Sequence, residues 1–169
     1  MKVVPTIYSI AGPWKGRLAI VPRPRGGEWL QDEMQALRDE GIDMVVSLLT
    51  AGEAEELELA DEAVFAEAEG LQFIQFPIAD YSVPSSLNET DAFIEKLDGA
   101  LTRGENVVIH CRQAIGRSSM IASSLLVRRR IAPDEALNQV AAARGCTVPD
   151  TPEQREWVSK FARFLNSPS

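Results

Sequence analysis
The run Asn106-Val107-Val108-Ile109 leads through His110-Cys111-Arg112-Gln113-Ala114-Ile115-Gly116 into Arg117 and a helical apolar pattern that continues to Arg130. A short uninterrupted apolar run reads as a buried strand, and the pattern after it reads as a helix. A buried strand that feeds a helix belongs to an α/β layer arrangement, so this one feature constrains the fold class more than any other. The residues in between must make the strand-to-helix turn. Such a turn aims unpaired backbone N–H groups at one point, at the positive end of the helix dipole.

The rest of the chain repeats the alternation. Strands are predicted near 6–10, 18–21, 44–49, 71–76 and 107–110, and helices near 29–40, 54–69, 87–103, 117–130, 133–144 and 152–165. The architecture expected is a central, mostly parallel sheet of about five strands with helices on both faces. At 169 residues and 45% hydrophobic content the chain is long enough for one domain with its own core. That domain is expected to span 1–169, with a short loose tail at 166–169.

The chemistry follows from the turn. A phosphate at the first turn of the helix meets several N–H donors. Arg117, at the helix start, can grip two phosphate oxygens with its planar fork. Cys111 sits in the same field. A thiol with an ordinary pKa of about 8.5 falls to about 3.5–7.5 at a helix N-terminus or beside cations, so Cys111 is expected as a thiolate that attacks phosphorus in line. Ser118 places a hydroxyl within reach of that sulfur. His110 is the only histidine, so no second imidazole exists to act as a base, and its expected work is to brace the loop through ring hydrogen bonds. A buried structural cysteine near a surface arginine is the plainer reading, but a cysteine followed five residues later by Gly-Arg-Ser is unusual core filling.

The pattern H-C-x5-R-S resembles the signature of the cysteine-dependent protein tyrosine and dual-specificity phosphatases. The resemblance covers nearly the whole chain and implies their fold, a phosphocysteine intermediate and no metal or cofactor. It implies that Arg112, Gln113, Ala114, Ile115, Gly116 and Arg117 surround the phosphate. It also implies an acid on a mobile loop upstream, a place that Phe76-Pro77-Ile78-Ala79-Asp80-Tyr81-Ser82-Val83-Pro84 fits, with Asp80 as general acid. Asp91 and Asp98 fall in the following helical stretch and fit less well. Val148-Pro149-Asp150-Thr151-Pro152-Glu153-Gln154 is similar to the family's Q-T-x-x-Q segment. Gln154 then positions the hydrolytic water, and Asp150 replaces the first glutamine. Thr151 is equally a good N-cap and Pro152 a typical first helical residue, and both readings hold together.

Most members of that family have glycine where this chain has Ala114. An alanine at positive φ loses about 1 kcal/mol or more, so a phosphate-binding module with little turnover is the alternative. Sulfur transfer or arsenate reduction is a weaker third reading. Relatives that act on inositol lipids carry lysines within the loop, whereas this loop has Gln113 and Ile115, with Arg112 its one extra cation. A formal net charge of −8 disfavours nucleic acid and anionic membranes as partners. The expected substrates are therefore phosphotyrosine, and phosphoserine or phosphothreonine, in proteins, or a small aryl phosphate. A monomer is expected.

No run approaches the length of about 18 apolar residues that crosses a bilayer. No positive segment followed by an apolar stretch opens the chain, and two cysteines with a thiol-dependent mechanism fit a cytoplasmic location. Cys146 reads as structural or incidental, with a redox role as the alternative. Arg23-Pro24-Arg25 reads as a solvated loop, with a peptide-docking edge as the sharper possibility. The Glu-rich stretch 53–69 reads as a solvated acidic face.

Overall fold
Five strands form one sheet in the computed structural model, which describes residues 3–167. They are β1 (Tyr8–Ile10), β2 (Leu18–Ile20), β3 (Met44–Ser47), β4 (Gln72–Gln75) and β5 (Val107–His110). Their spatial order is β1-β2-β5-β3-β4, with β1 antiparallel to β2 and every other neighbour parallel. Among the described residues the helices are α1 (Leu30–Asp39), α2 (Ala51–Glu56), α3 (Glu62–Ala68), α4 (Leu87–Thr102), α5 (Arg117–Arg128), α6 (Pro133–Arg144) and α7 (Pro152–Asn166). This is the α/β architecture expected from the alternation.

Side chains alternate across a strand, and here each face meets its own core. Leu18, Ile20, Met44, Val46, Val107 and Ile109 pack with residues of α4 to α7, whereas Ala19, Val45 and Val108 turn toward α1 to α3. Both faces of β5 are thereby dry, which is why its sequence reads as an apolar run. Every residue of α5 from Arg117 to Val127 is buried, enclosed by the sheet, α4, α6 and α7. Its serines keep the helix slim enough to sit there, and the Ser124 hydroxyl donates back to the Met120 carbonyl at 2.8 Å.

Strand ends differ from the predicted ones by at most two residues. The helix predicted over 54–69 is instead two, α2 and α3. No proline or glycine marks the break. Glu58 takes φ 58°, and its carbonyl accepts the Gly27 N–H at 3.1 Å. A Cβ on Gly26 would lie 2.2 Å from the Leu57 carbonyl oxygen, so the glycine pair lets the β2–α1 connection press against this turn. The break is a tertiary contact that periodicity does not contain. The first two residues of the tail expected at 166–169 are instead held by the last helix. Asn166 closes α7 and Ser167 caps it, its hydroxyl donating to the Arg163 carbonyl at 2.9 Å; Pro168 and Ser169 lie outside the described residues.

Because β2, β3, β4 and β5 are parallel, their carboxyl ends share one edge of the sheet. From that edge β2 leads to Arg23, β3 to α2, β4 to Asp80 and β5 to Cys111. Open α/β sheets bind ligands at this edge.

Candidate active site
Cys111 is 2% exposed at the end of β5, and its Sγ lies 3.3 Å from Ser118 Oγ. No backbone N–H from Arg112 to Arg117 finds an acceptor among the described residues. Consecutive donors left without partners are costly in a buried turn and are what an anion satisfies. Gly116 ends the loop where α7 begins: a Cβ on it would lie 2.3 Å from Asp150 Oδ2 and 2.9 Å from Gln154 Oε1. Glycine is required there for close approach.

Arg117, at 1% exposure, comes first by volume among the fully buried side chains of the described residues. Its Nη1 donates to Glu53 Oε1 at 2.6 Å and to the Ile78 carbonyl at 2.8 Å, and its Nη2 donates to Glu53 Oε2 at 2.9 Å. Asp80 Oδ1 lies 3.0 Å from the same Nη2. Burial works against the Arg117 charge, but the Glu53 hydrogen bond and the charges of Cys111, Glu53 and Asp80 outweigh it and hold the guanidinium above its usual range. Burial likewise works to raise the Glu53 carboxyl, yet bonds from Arg117 and Thr50 hold it below the usual glutamate range. A fork–fork pair of this kind fixes the plane of the guanidinium.

The loop is also held from outside. His110 Nε2 lies 2.6 Å from Glu62 Oε2, both side chains buried, and Nδ1 lies 3.3 Å from the Cys111 carbonyl. Ala114 takes φ 60°, and its carbonyl accepts Arg144 Nε at 2.7 Å. The Arg144 guanidinium in turn lies 4.3 Å from the centre of the Tyr8 ring. Arg23 Nη1 donates to the Arg112 carbonyl at 2.5 Å. The Arg112 side chain itself turns outward to Glu56 at 3.3 Å, Gln113 is exposed, and Ile115 packs against the core.

Gln154 is fully buried at the start of α7. Its Oε1 accepts the N–H groups of Asp150 and Thr151 at 3.1 and 3.3 Å, and its Nε2 donates to the Ser82 carbonyl at 3.0 Å. The side chain thus joins the capping box of Thr151 to the loop that carries Asp80. Partial burial and the nearby Asp80 charge push the Asp150 carboxyl above its usual range, against the pull of Arg117.

The acidic face predicted over 53–69 is corrected by two of its members. Glu53 and Glu62 turn inward, one to Arg117 and one to His110. A signal for Glu53 exists in the sequence: Thr50-Ala51-Gly52-Glu53 has the spacing of a capping box directly after a strand, and the structure contains that box. Placed on the third helical residue, Glu53 faces the neighbouring strand's loop. No comparable signal marks Glu62 or Arg144.

A nucleophile-sized thiol under a ring of open amides, a fixed guanidinium and an aspartate on an adjacent loop suit in-line phosphoryl transfer. Known proteins agree. A family model described as "Tc-R-P: Polymorphic toxin system, DSP-PTPase phosphatase" matches residues 20–130. "Putative tyrosine phosphatase 197R" of Invertebrate iridescent virus 6 is 31% identical over 136 residues, which are 78% of this chain and 49% of the viral protein. Cyclin-dependent kinase inhibitor 3 of Rattus norvegicus is 26% identical over 144 residues, 82% of this chain and 68% of the rat protein. The chain therefore spans about half the length of the first of these relatives. Among solved structures, kinase associated phosphatase with its catalytic-site cysteine replaced by serine shares the fold, with a TM-score of 0.91 at 20% identity over 100% of both chains. Tk-PTP in the active form has a TM-score of 0.73 at 26% identity, covering 88% of this chain and 92% of its own.

Proposed function
The chain belongs to the DSP-PTPase phosphatase family, and from that premise we propose that it hydrolyses phosphotyrosine, and phosphoserine or phosphothreonine, monoesters in proteins through a phosphocysteine intermediate. The observation that carries this reading is the buried Cys111 beside six consecutive unpaired amides, 112 to 117, with Arg117 clamped by Glu53.

A substrate dianion enters the cup and takes up the open amides, the Arg117 Nε and the Nη2 hydrogen that Asp80 gives up, while Glu53 keeps the far edge of the guanidinium. Asp80 then leaves Arg117, takes up a proton from water and turns its neutral carboxyl to the bridging oxygen of the ester. The Cys111 thiolate attacks phosphorus, the P–O bond breaks, and Asp80 delivers its proton to the leaving alcohol. In the second half a water attacks the phosphocysteine, Asp80 takes the proton, and the S–P bond breaks to regenerate the thiolate. The Ser118 hydroxyl, 3.3 Å from the sulfur, stabilises it as leaving group. Gln154 ties the acid loop to α7 and, when that loop moves, frees an amide to place the water. A free thiol of this kind suits a reducing compartment such as the cytoplasm.

The reading of a binder without turnover is not favoured, because Ala114 already adopts the left-handed conformation the cup needs and its carbonyl is held there by Arg144. The test is hydrolysis of p-nitrophenyl phosphate and of phosphotyrosine and phosphothreonine peptides in the presence of a chelator. Cys111→Ser is expected to lose detectable turnover while it keeps phosphopeptide binding; undiminished turnover in that variant removes Cys111 from the mechanism.

A further inference from the structure
A groove of about 600 Å³ runs along the outer wall of the phosphate loop, lined by Arg23, Pro24, Arg25, Trp29, Arg112 and Gln113 with their neighbours. In a chain of net charge −8 it gathers two arginines on a segment stiffened by Pro22 and Pro24. Arg23 is tied by its Nη1 to the carbonyl of Arg112, the residue next to the nucleophile. Among the described residues no carboxylate pairs with Arg23, whereas Arg25 pairs with Glu33 and Arg112 with Glu56 and Glu53. Arg25 spends only its Nε on Glu33, and its guanidinium lies 4.3 Å from the centre of the Trp29 ring. Trp29 is 47% exposed. Among the described residues Glu58 is the one acid that lines the groove. The open donors are therefore those of Arg23 and the outer nitrogens of Arg25, beside an exposed aromatic face.

We propose that this groove is a subsite for a second anionic group on the same peptide: the target phosphate sits over Cys111, and a carboxylate or second phosphate from a neighbouring residue lies against Arg23 and Arg25, with apolar side chain on Trp29. The groove shares Arg112 and Gln113 with the cup, so an extended peptide at about 3.3–3.6 Å per residue reaches it within a few positions. A peptide is favoured over a lipid headgroup because the acidic surface as a whole is repelled by an anionic membrane. This inference rests on the phosphatase reading and names its preferred substrates.

The test compares kcat/KM for phosphotyrosine peptides of one length whose flanking residues are neutral, glutamate or phosphoserine. The anion-flanked peptides are expected to be favoured roughly three- to fivefold, the gain of a partly exposed ion pair. That ratio should fall in Arg23→Gln and in Arg25→Gln and persist in Arg163→Gln, a substitution on the exposed face of α7. It should also shrink as salt rises from about 0.05 to about 0.5 M. Equal kcat/KM for neutral and anionic peptides, a preference that survives loss of both arginines, or a preference confined to soluble inositol polyphosphates overturns the subsite. Binding of the same peptides to Cys111→Ser protein reads the groove without catalysis. Absence of wild-type turnover thus defeats the phosphatase reading, while the binding order still decides the subsite.

Discussion
Arg112 and Arg117 stand five positions apart in one loop and both reach toward α2, yet they live under different physics. The Arg117 side chain is 1% exposed and makes two short bonds to Glu53. The Arg112 side chain is 29% exposed, and its nearest acid, Glu56, is 65% exposed and 3.3 Å away. Glu53 serves both, at 2.6 Å on the buried side and 3.8 Å at the rim. Water screens the outer pair, and long side chains lose entropy to hold it. The inner pair has little water between its charges, so removing either partner strands the other. Residue type and partner helix are shared; burial and convergence of donors separate a fixed, buried clamp from a solvated rim pair.

The comparison is broken most directly at its strong end. Arg117→Lys keeps the charge but loses the fork, and kcat/KM for p-nitrophenyl phosphate should fall about 10²–10³-fold, as when a transition-state donor is removed. A loss of less than about tenfold would mean that the buried fork is not what grips the phosphate. Next comes Glu53→Gln, which leaves Arg117 buried with half its clamp. A destabilisation of about 2 kcal/mol is expected at pH 7, seen as a drop of about 4–8 °C in Tm. The pH dependence has a definite sign. The Glu53 carboxyl is held below its usual range, so its contribution is present above the unfolded glutamate value of about 4.3 and disappears as pH falls through the lower folded value. The Tm gap between the two proteins should therefore be full at neutral pH and close on acidification below about pH 4.

Smaller effects sharpen the contrast. Ala114 sits at φ 60°, so Ala114→Gly should relieve about 1 kcal/mol of backbone strain and raise Tm by about 2–4 °C. The gain should be accompanied by a lower dependence on Arg144, measured as a smaller Tm loss from Arg144→Ala in the glycine background. The smallest effect belongs to the rim. Arg112→Ala should change kcat/KM for p-nitrophenyl phosphate by less than about twofold and stability by less than about 0.5 kcal/mol. A larger loss would show that its backbone position depends on its side chain.

Much of the site was legible because its parts are local. The apolar run of β5, the cysteine, the glycine before Arg117 and the start of α5 all lie within one short segment, and strand and helix periods place them. The proline-bounded loop after β4 and the family resemblance pointed to Asp80, which the fold sets 3.0 Å from Arg117. Glu53 and Glu62 were not legible, since a run of acids on a helix looks alike whether its partner is water or an arginine. Their partners lie 64 and 48 residues away. The same limit hid the break between α2 and α3, where a glycine pair from another connection presses on Leu57 and Glu58. Gln154 was readable as part of a cap, but its bond to Ser82, 72 residues away, was not.

By itself the amino-acid order determined the layered α/β class, the strand-to-helix turn, and the placing of a thiol at its start and a guanidinium at its end. These follow from side-chain period, backbone donors and intrinsic reactivity, which act over a few neighbouring residues. Only the tertiary structure decided the strand order that brings α2 beside the cysteine loop, the choice of Glu53 from among many glutamates, and the outer braces of Arg23, Arg144 and Glu62 on that loop. The reason is that the worth of a charge pair or a carbonyl bond depends on separation and on the water between, and both are set by folding segments together that are far apart in the chain.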